Sequence, residues 1–357
     1  MLRTWLTLLC FILGIVLSGS LFAQDQSAQP IPAIKDNLRK QVLPIDQSTI
    51  GQVHDQGGFV PLSGTTDVLV NNNNGASGTA NFTQSETDIL AFGNTVVVSF
   101  NDAGSFTGSN NQFTGYAYST DGGVTFTDGG TLPTSAIGDA GDPVLARNET
   151  TGRIYFSTLG FSGSGTIQMW RSDDNGVTWM APVNATPGGS SEDKQWHAVD
   201  NFPGTGNGNV YLISRNFAAG SGIYMYRSTD HGATFGPSGG VQIVSGNQGA
   251  FVAVGPDHSV YAFWYTTGSI QVRKSTDFGV TFGSAVTVAS GLIGGTNGDL
   301  GLTGIRQGTT TASSFRSSEF PHVAVNPING DVFVTYNNKG AGTDKADIFL
   351  VVSTNGG

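Results

Sequence analysis

Past residue 23 the sequence has no cysteine; the single one, Cys10, lies in an apolar N-terminal run. Without it a chain can form neither a disulfide nor a thiolate metal site, so stability must come from burial and hydrogen bonds. Charge is scarce too: Asp, Glu, Lys and Arg make up 12% of the residues, and 26 acids against 16 Lys and Arg leave a net charge of -10. Such a surface repels phosphates, which excludes a nucleic-acid partner. After Leu17 no apolar run reaches the roughly 18 residues that a bilayer-spanning helix needs, and long amphipathic helical patterns are missing as well. Abundance lies instead with glycine, 52 of 357 residues, and with Asn, Thr and Ser. That composition suits short strands joined by many turns, so the predicted class is all-β.

At the N-terminus Arg3 precedes an apolar run from Trp5 to Leu17, and the small residues Ser18, Gly19 and Ser20 lead to Ala23, after which the chain turns polar. This pattern predicts a secretory signal over residues 1–23, cleaved near Ala23, and hence a secreted or extracytoplasmic protein with no membrane span after cleavage. Residues 24–64, polar with scattered Pro, read as an extended leader, and 65–357 as one domain.

An internal repeat organises that domain. STDGGVTF (Ser119–Phe126), SDDNGVTW (Ser172–Trp179), STDHGATF (Ser228–Phe235) and STDFGVTF (Ser275–Phe282) share one pattern, and Ser353-Thr354-Asn355-Gly356-Gly357 begins a fifth copy. Ser and Asp side chains can bond nearby backbone groups and hold a tight turn, Gly supplies a positive-φ position, and the terminal aromatic can plug the space between sheets. A catalytic group is needed once, whereas Asp121, Asp174, Asp230 and Asp277 recur in every unit, so a structural role is assigned to all four. Two alternating apolar runs and a third strand precede each turn, as in FVAVGPDHSVYAFWY followed by SIQVRKS. Four antiparallel strands per unit describe a propeller blade.

The repeated turn is the Asp-box, and from about residue 80 to 357 the chain resembles the sialidase-like BNR or Asp-box β-propellers. The resemblance implies a propeller of six blades when complete, of which five are visible here; the C-terminus looks truncated, and Thr66 to Asn71 could supply a closing strand. It also implies a carbohydrate or glycoconjugate as partner and leaves the oligomeric state open; no cofactor and no metal are expected, as the sequence has no dedicated ligand motif. Sialidases hold the substrate carboxylate with three arginines, one of them in an Arg-Ile-Pro motif, which this sequence lacks. Arg171, Arg227 and Arg273 sit directly before Asp-boxes and are set aside.

Propeller geometry selects the face on which chemistry can occur. The turn between strands one and two shares a face with the Asp-box, while the segments leading into strand one and those between strands two and three gather at the opposite mouth of the central funnel. Read for that mouth, the catalytic candidates are Asp139, Asp142, Asp193, His197 and Glu319, and the substrate-binding candidates are Glu86, Lys194, Arg215, Arg306, Arg316 and His322. Asp88 and Gln248 lie in the same segments. Arg306 and Arg316 belong to a long insertion, about Ser290 to His322, of the kind that forms lids or substrate walls. His231 and His258 fall in turns on the other face.

Three functions stay open at this point. A secreted sialidase-like propeller that recognises glycans or hydrolyses them requires a general acid opposed by a second carboxylate or a Tyr in one funnel. A non-catalytic adhesion or scaffold propeller requires neither. A metal-dependent lyase or hydrolase would use Asp139, Asp142, Asp193 and His197, since hard cations prefer several carboxylates.

Overall fold

The computed structural model describes residues 68–72, 84–102, 112–161, 165–218, 220–294, 300, 317–339 and 346–357. The predicted signal, the leader, Arg306 and Arg316 lie outside these residues. The propeller occupies Val70–Gly357. Val68–Asn72 form no strand, so the part of the expected closing segment that is described adds none. Among the described residues no helix is long and apolar enough to cross a membrane.

Among the described residues nineteen strands form five antiparallel sheets. Blade 1 is β1 (Gln84–Phe92), β2 (Thr95–Asp102), β3 (Thr114–Ser119) and β4 (Thr127–Thr131). Blade 2 is β5 (Val144–Arg147), β6 (Ile154–Leu159), β7 (Ile167–Ser172) and β8 (Val183–Asn184). Blade 3 holds β9 (Glu192–Val199), β10 (Val210–Asn216), β11 (Gly222–Ser228) and β12 (Gly236–Ser245). Blade 4 holds β13 (Gln248–Val254), β14 (Val260–Thr266), β15 (Ser269–Ser275) and β16 (Val286–Ser290), and blade 5 the three strands β17 (His322–Val325), β18 (Val332–Asn338) and β19 (Asp347–Ser353). Within each sheet, strands pair in sequence order, as a meander.

Neighbouring blades bury their sheet faces against each other. Val97, Tyr116 and Leu132 of blade 1 pack with Ile154, Phe156, Trp170 and Trp179 of blade 2, and Tyr211, Ile213 and Met225 of blade 3 with Val252, Ala262 and Trp264 of blade 4. Strands sandwiched in this way are apolar on both faces, which explains the near-continuous apolar runs of β10 and β14. In β19, by contrast, Ile348, Leu350 and Val352 are exposed while Phe349 stacks on Tyr336.

The repeated turn folds as its sequence dictates. In each complete copy the serine Oγ–H donates to the Asp carboxylate at 2.7 Å and accepts the glycine N–H at 2.9 Å, as Ser172 does with Asp174 and Gly176. The same Asp accepts the Thr N–H at 2.9 Å and its hydroxyl at 2.5–2.6 Å. These bonds to Thr125 and Thr281 are the main reason that Asp121 and Asp277 are held at a pKa of about 2. Even the fifth copy starts correctly, with Ser353 donating to Asn355 at 2.8 Å and accepting the Gly357 N–H at 2.9 Å. The terminal aromatic plugs the blade interface: Trp179 meets Tyr116 of blade 1 edge-on at 5.8 Å and Phe156 at 5.0 Å.

Ser172 is fully buried, so its replacement leaves the buried Gly176 N–H without an acceptor. Ser172→Ala is therefore expected to lower the unfolding free energy by about 1–3 kcal/mol in a denaturant titration. Ser353→Ala, at the exposed fifth copy, is expected to cost a few tenths of that. Equal losses at the two positions would contradict this account of the turn.

Candidate functional site

The strand nearest the axis breaks at the same place in four successive blades. In blade 1, Ser85 pairs with Asn101 and Asp88 with Ser99, so three steps on β1 oppose two on β2. The same offset separates Asp193 and Trp196 of β9 from Arg215 and Ile213, and Gln248 and Phe251 of β13 from Tyr265 and Phe263. In blade 2 the Leu159 N–H bonds Gly141 O while Val144 pairs with Ser157. One residue is thus bulged out of each ladder, and its backbone is left-handed: Glu86 (φ 50°), Asp142 (φ 54°), Lys194 (φ 48°) and Gly249 (φ 71°). Glycine adopts this conformation freely, whereas a carboxylate or lysine there is strained. Strained bulges next to a funnel re-aim side chains and recur at functional sites.

These bulges bring charge together. The Asp142 carboxyl is pushed well above its ordinary pKa, first by burial, then by the charge of Glu86 and a hydrogen bond with it, and further by the charge of Asp193; Lys194 opposes the shift. Asp142 and Glu86 are therefore two neighbouring acids whose interaction favours the protonated form of Asp142. Asp88, which also senses the Lys194 charge, accepts the Leu145 N–H at 2.6 Å and the Ile89 N–H at 2.9 Å, and burial raises its pKa to about 6. Gln248 Nε2 donates to Asp193 at 3.2 Å. Lys194 places its ammonium 5.3 Å from the Trp196 ring centre, and Phe251 stacks on that ring at 4.4 Å. Trp196 is consequently a support for Lys194 rather than an open platform. His322 meets Trp196 edge-on at 5.3 Å, and burial and the Lys194 charge lower its pKa to about 4, which keeps it neutral.

Of the residues selected from the sequence, Glu86, Asp142, Asp193, Lys194 and His322 are thus brought into one neighbourhood. The others are turned to different work. Asp139, 1% exposed, accepts the Phe113 N–H at 2.9 Å and the Thr114 hydroxyl at 2.5 Å, tying blade 1 to the segment before blade 2; burial raises its pKa to about 7. His197 is buried against Ser157 Oγ at 3.0 Å, and burial lowers its pKa to about 3. Glu319, fully buried, accepts the N–H groups of Ile293 and Gly294 at 3.0 and 2.8 Å, fastening the start of the insertion. Arg215 donates to Gly246 O at 3.0 Å and Ser221 Oγ at 2.7 Å. Asp139 and His197 are therefore not gathered with Asp142 and Asp193, and among the described residues no group of three or more His, Cys, Asp or Glu could hold a metal ion.

Asp88 and Trp196 belong to this neighbourhood without having been chosen as site residues. The signal for both was their place in strand one, three residues after the pairs Ser85–Asn101 and Asp193–Arg215. On the face that carries the repeated turns, a hollow of about 200 Å³ is lined by Thr151, Arg153, Asp173 and His231. Arg153 there is already paired with both Asp173 oxygens at 2.7 Å and bonded to His231 O at 3.1 Å, so its charge is taken.

Comparison with known proteins adds the fold. No family model and no curated protein matches the chain. Among solved structures it is similar to a protein of unknown function from Dyadobacter fermentans, with a TM-score of 0.50 and 16% identity over 82% of this chain and 87% of that one. It is also similar to the NanB sialidase from Streptococcus pneumoniae, with a TM-score of 0.49 and 13% identity over 82% and 61% of the two chains. The intramolecular trans-sialidase from Ruminococcus gnavus gives a TM-score of 0.45 and 14% identity over 80% and 87%. At these identities the likeness is one of β-propeller fold.

Proposed function

We propose that this Asp-box propeller is an exported glycan-binding protein that hydrolyses a glycosidic bond at the mouth of its funnel, with Asp142 as the proton donor. The observation that carries this reading is the Asp142–Glu86 carboxyl pair, built on two strained bulges from adjacent blades. Glycoside hydrolysis needs one carboxyl that still holds its proton near neutral pH and a second that is ionised. Burial and the Glu86 charge supply the first in Asp142. Asp193, whose negative charge acts on Asp142, is the carboxylate placed to activate water or to stabilise the cationic transition state. The Asp-box resemblance supports a glycan ligand, and the charged-then-apolar residues 1–23 support export.

Electrostatics narrows the sugar. Asp88 and Asp142 face Lys194, Glu86 and Asp193 act on Asp142, and Arg215, in register with Asp193, directs Nη1 and Nη2 to Gly246 and Ser221. An acidic mouth of this kind disfavours the carboxylate of a sialoside and favours an uncharged sugar. The test is a panel of fluorogenic glycosides, neutral sugars and sialosides together, with a glycan array on the same preparation. Turnover of a neutral glycoside at least tenfold above any sialoside is expected. Binding without turnover throughout would overturn the hydrolase reading, and a preference for sialosides would overturn the electrostatic one.

A further inference from the structure

Asp142 holds a left-handed backbone that costs an L-residue energy, and the surrounding blades supply what keeps it there. Its N–H donates to Asn101 Oδ1 at 2.8 Å, and its carbonyl accepts Gln195 Nε2. Asn101 stands at the end of β2 in blade 1, opposite Ser85, and Gln195 is the second bulge residue of β9 in blade 3. Both are 1% exposed. Because an N–H must meet an oxygen and a carbonyl must meet an NH₂, the Asp142 backbone also fixes which way each amide points. The fit against blade 1 is close: a Cβ on Gly141 (φ 92°) would collide with Asn101 Oδ1. Three blades thus converge on the backbone of one residue.

We infer that Asn101 and Gln195 are positioning residues for the proton donor, clamping both backbone polar groups of Asp142 so that its carboxyl is presented to Glu86 at the axis. The inference rests on the role proposed for Asp142, although the clamp itself can be read without substrate. Each amide keeps a second polar atom buried and unbonded, Asn101 Nδ2 and Gln195 Oε1. A residue kept only for stability gains little from such an arrangement, since an unmet buried polar group is costly. Arg215 shows the same reach on the next blade, from β10 forward to Gly246, but there the atoms held are those leading into β13, and no carboxylate follows.

The experiment pairs Asn101→Leu and Gln195→Met, which remove the acceptor and the donor at similar volume, with Asn101→Asp, which keeps the acceptor. The first readout is the titration of the Asp142 carboxyl by ¹³C NMR on the full chain without substrate, where Glu86, Asp193 and Lys194 are the charged groups facing it. Release of the clamp is expected to move the Asp142 midpoint down towards the ordinary carboxylate range in both variants, with Asn101→Asp keeping it raised. The second is turnover, where kcat is expected to fall about 10- to 100-fold with KM within about threefold, as a small misplacement of a reacting group does. If Asn101→Leu does not fold, Gln195→Met decides alone. An unchanged Asp142 midpoint in a folded variant overturns the clamp. Absence of turnover in the wild type, with the midpoint moving as stated, sinks the hydrolase reading and leaves the clamp standing.

Discussion

Asp142→Asn is expected to lower hydrolysis of glycosides with poor leaving groups by about 10²- to 10⁴-fold, the contribution typical of a positioned general acid. Asparagine keeps the size and the backbone contacts of Asp142 with Asn101 and Gln195, so a change in the shape of the site is not the cause. What it loses is the proton that burial and the negative charge of Glu86 keep on the carboxyl. Substrates whose leaving group departs without protonation, such as dinitrophenyl glycosides, should be affected at least tenfold less, and that contrast separates lost acid catalysis from lost binding. Glu86→Gln tests the same pair from the other side. Removing its charge takes away a cause of the raised Asp142 pKa, so the alkaline limb of the kcat/KM profile should shift to lower pH. An Asp142→Asn enzyme within threefold of wild type on every leaving group would move the proton donor elsewhere, Asp88 being the next carboxyl raised by burial, to about 6.

The blades were legible because their signals are short in range. The Ser-x-Asp-x-Gly-x-Thr turn closes on itself by hydrogen bonds no more than four residues apart, as between Ser172, Asp174, Gly176 and Thr178. Alternating apolar runs then fix strands whose faces are buried by the blades on either side. That the repeated turn shares a face with the β1–β2 turn was legible for the same reason: the Gly122 N–H of the first turn bonds Asn94 O of the β1–β2 turn. Which residues of the opposite mouth meet was harder to read. A one-residue bulge flips every later side chain to the other face of the strand, and nothing in the letters marks Glu86 or Lys194 as bulged. Gly249 is a weak sign of one, and so is Pro143, which cannot donate to a ladder. Counting charges at the mouth therefore gathered Asp142 and Asp193 together with Asp139 and Glu319, whose side chains turn to neighbouring backbone.

Those buried acids predict how stability varies with pH. Asp139 and Glu192 have pKa values raised to about 7 by burial, Asp88 is raised to about 6, and Asp142 is raised as well. In each the folded protein holds a proton that the unfolded chain releases near pH 4, so stability falls as pH rises from about 4 to 7. His197 and His322 act in the opposite sense. Their pKa values are lowered to about 3 and 4, so the unfolded chain binds protons that the fold refuses, and stability is lost as pH falls from about 6.5. Asp121 and Asp277, held at about 2 by their threonines, add a loss below about pH 4. Between about pH 4.5 and 6 the four raised carboxyls outnumber the two histidines, and above 6.5 the histidines no longer contribute. The melting temperature should therefore peak near pH 4–5 and fall towards pH 8. Asp139→Asn isolates one contribution, because the Asn Oδ1 can still accept both the Phe113 N–H and the Thr114 hydroxyl. It should recover on the order of 2–3 kcal/mol of the difference in unfolding free energy between pH 5 and 8, with Glu192→Gln recovering a similar amount. A wild-type protein as stable at pH 8 as at pH 5, or an Asp139→Asn variant with the same difference as wild type, would mean that these carboxyls are ionised in the fold and that burial does not govern their protons.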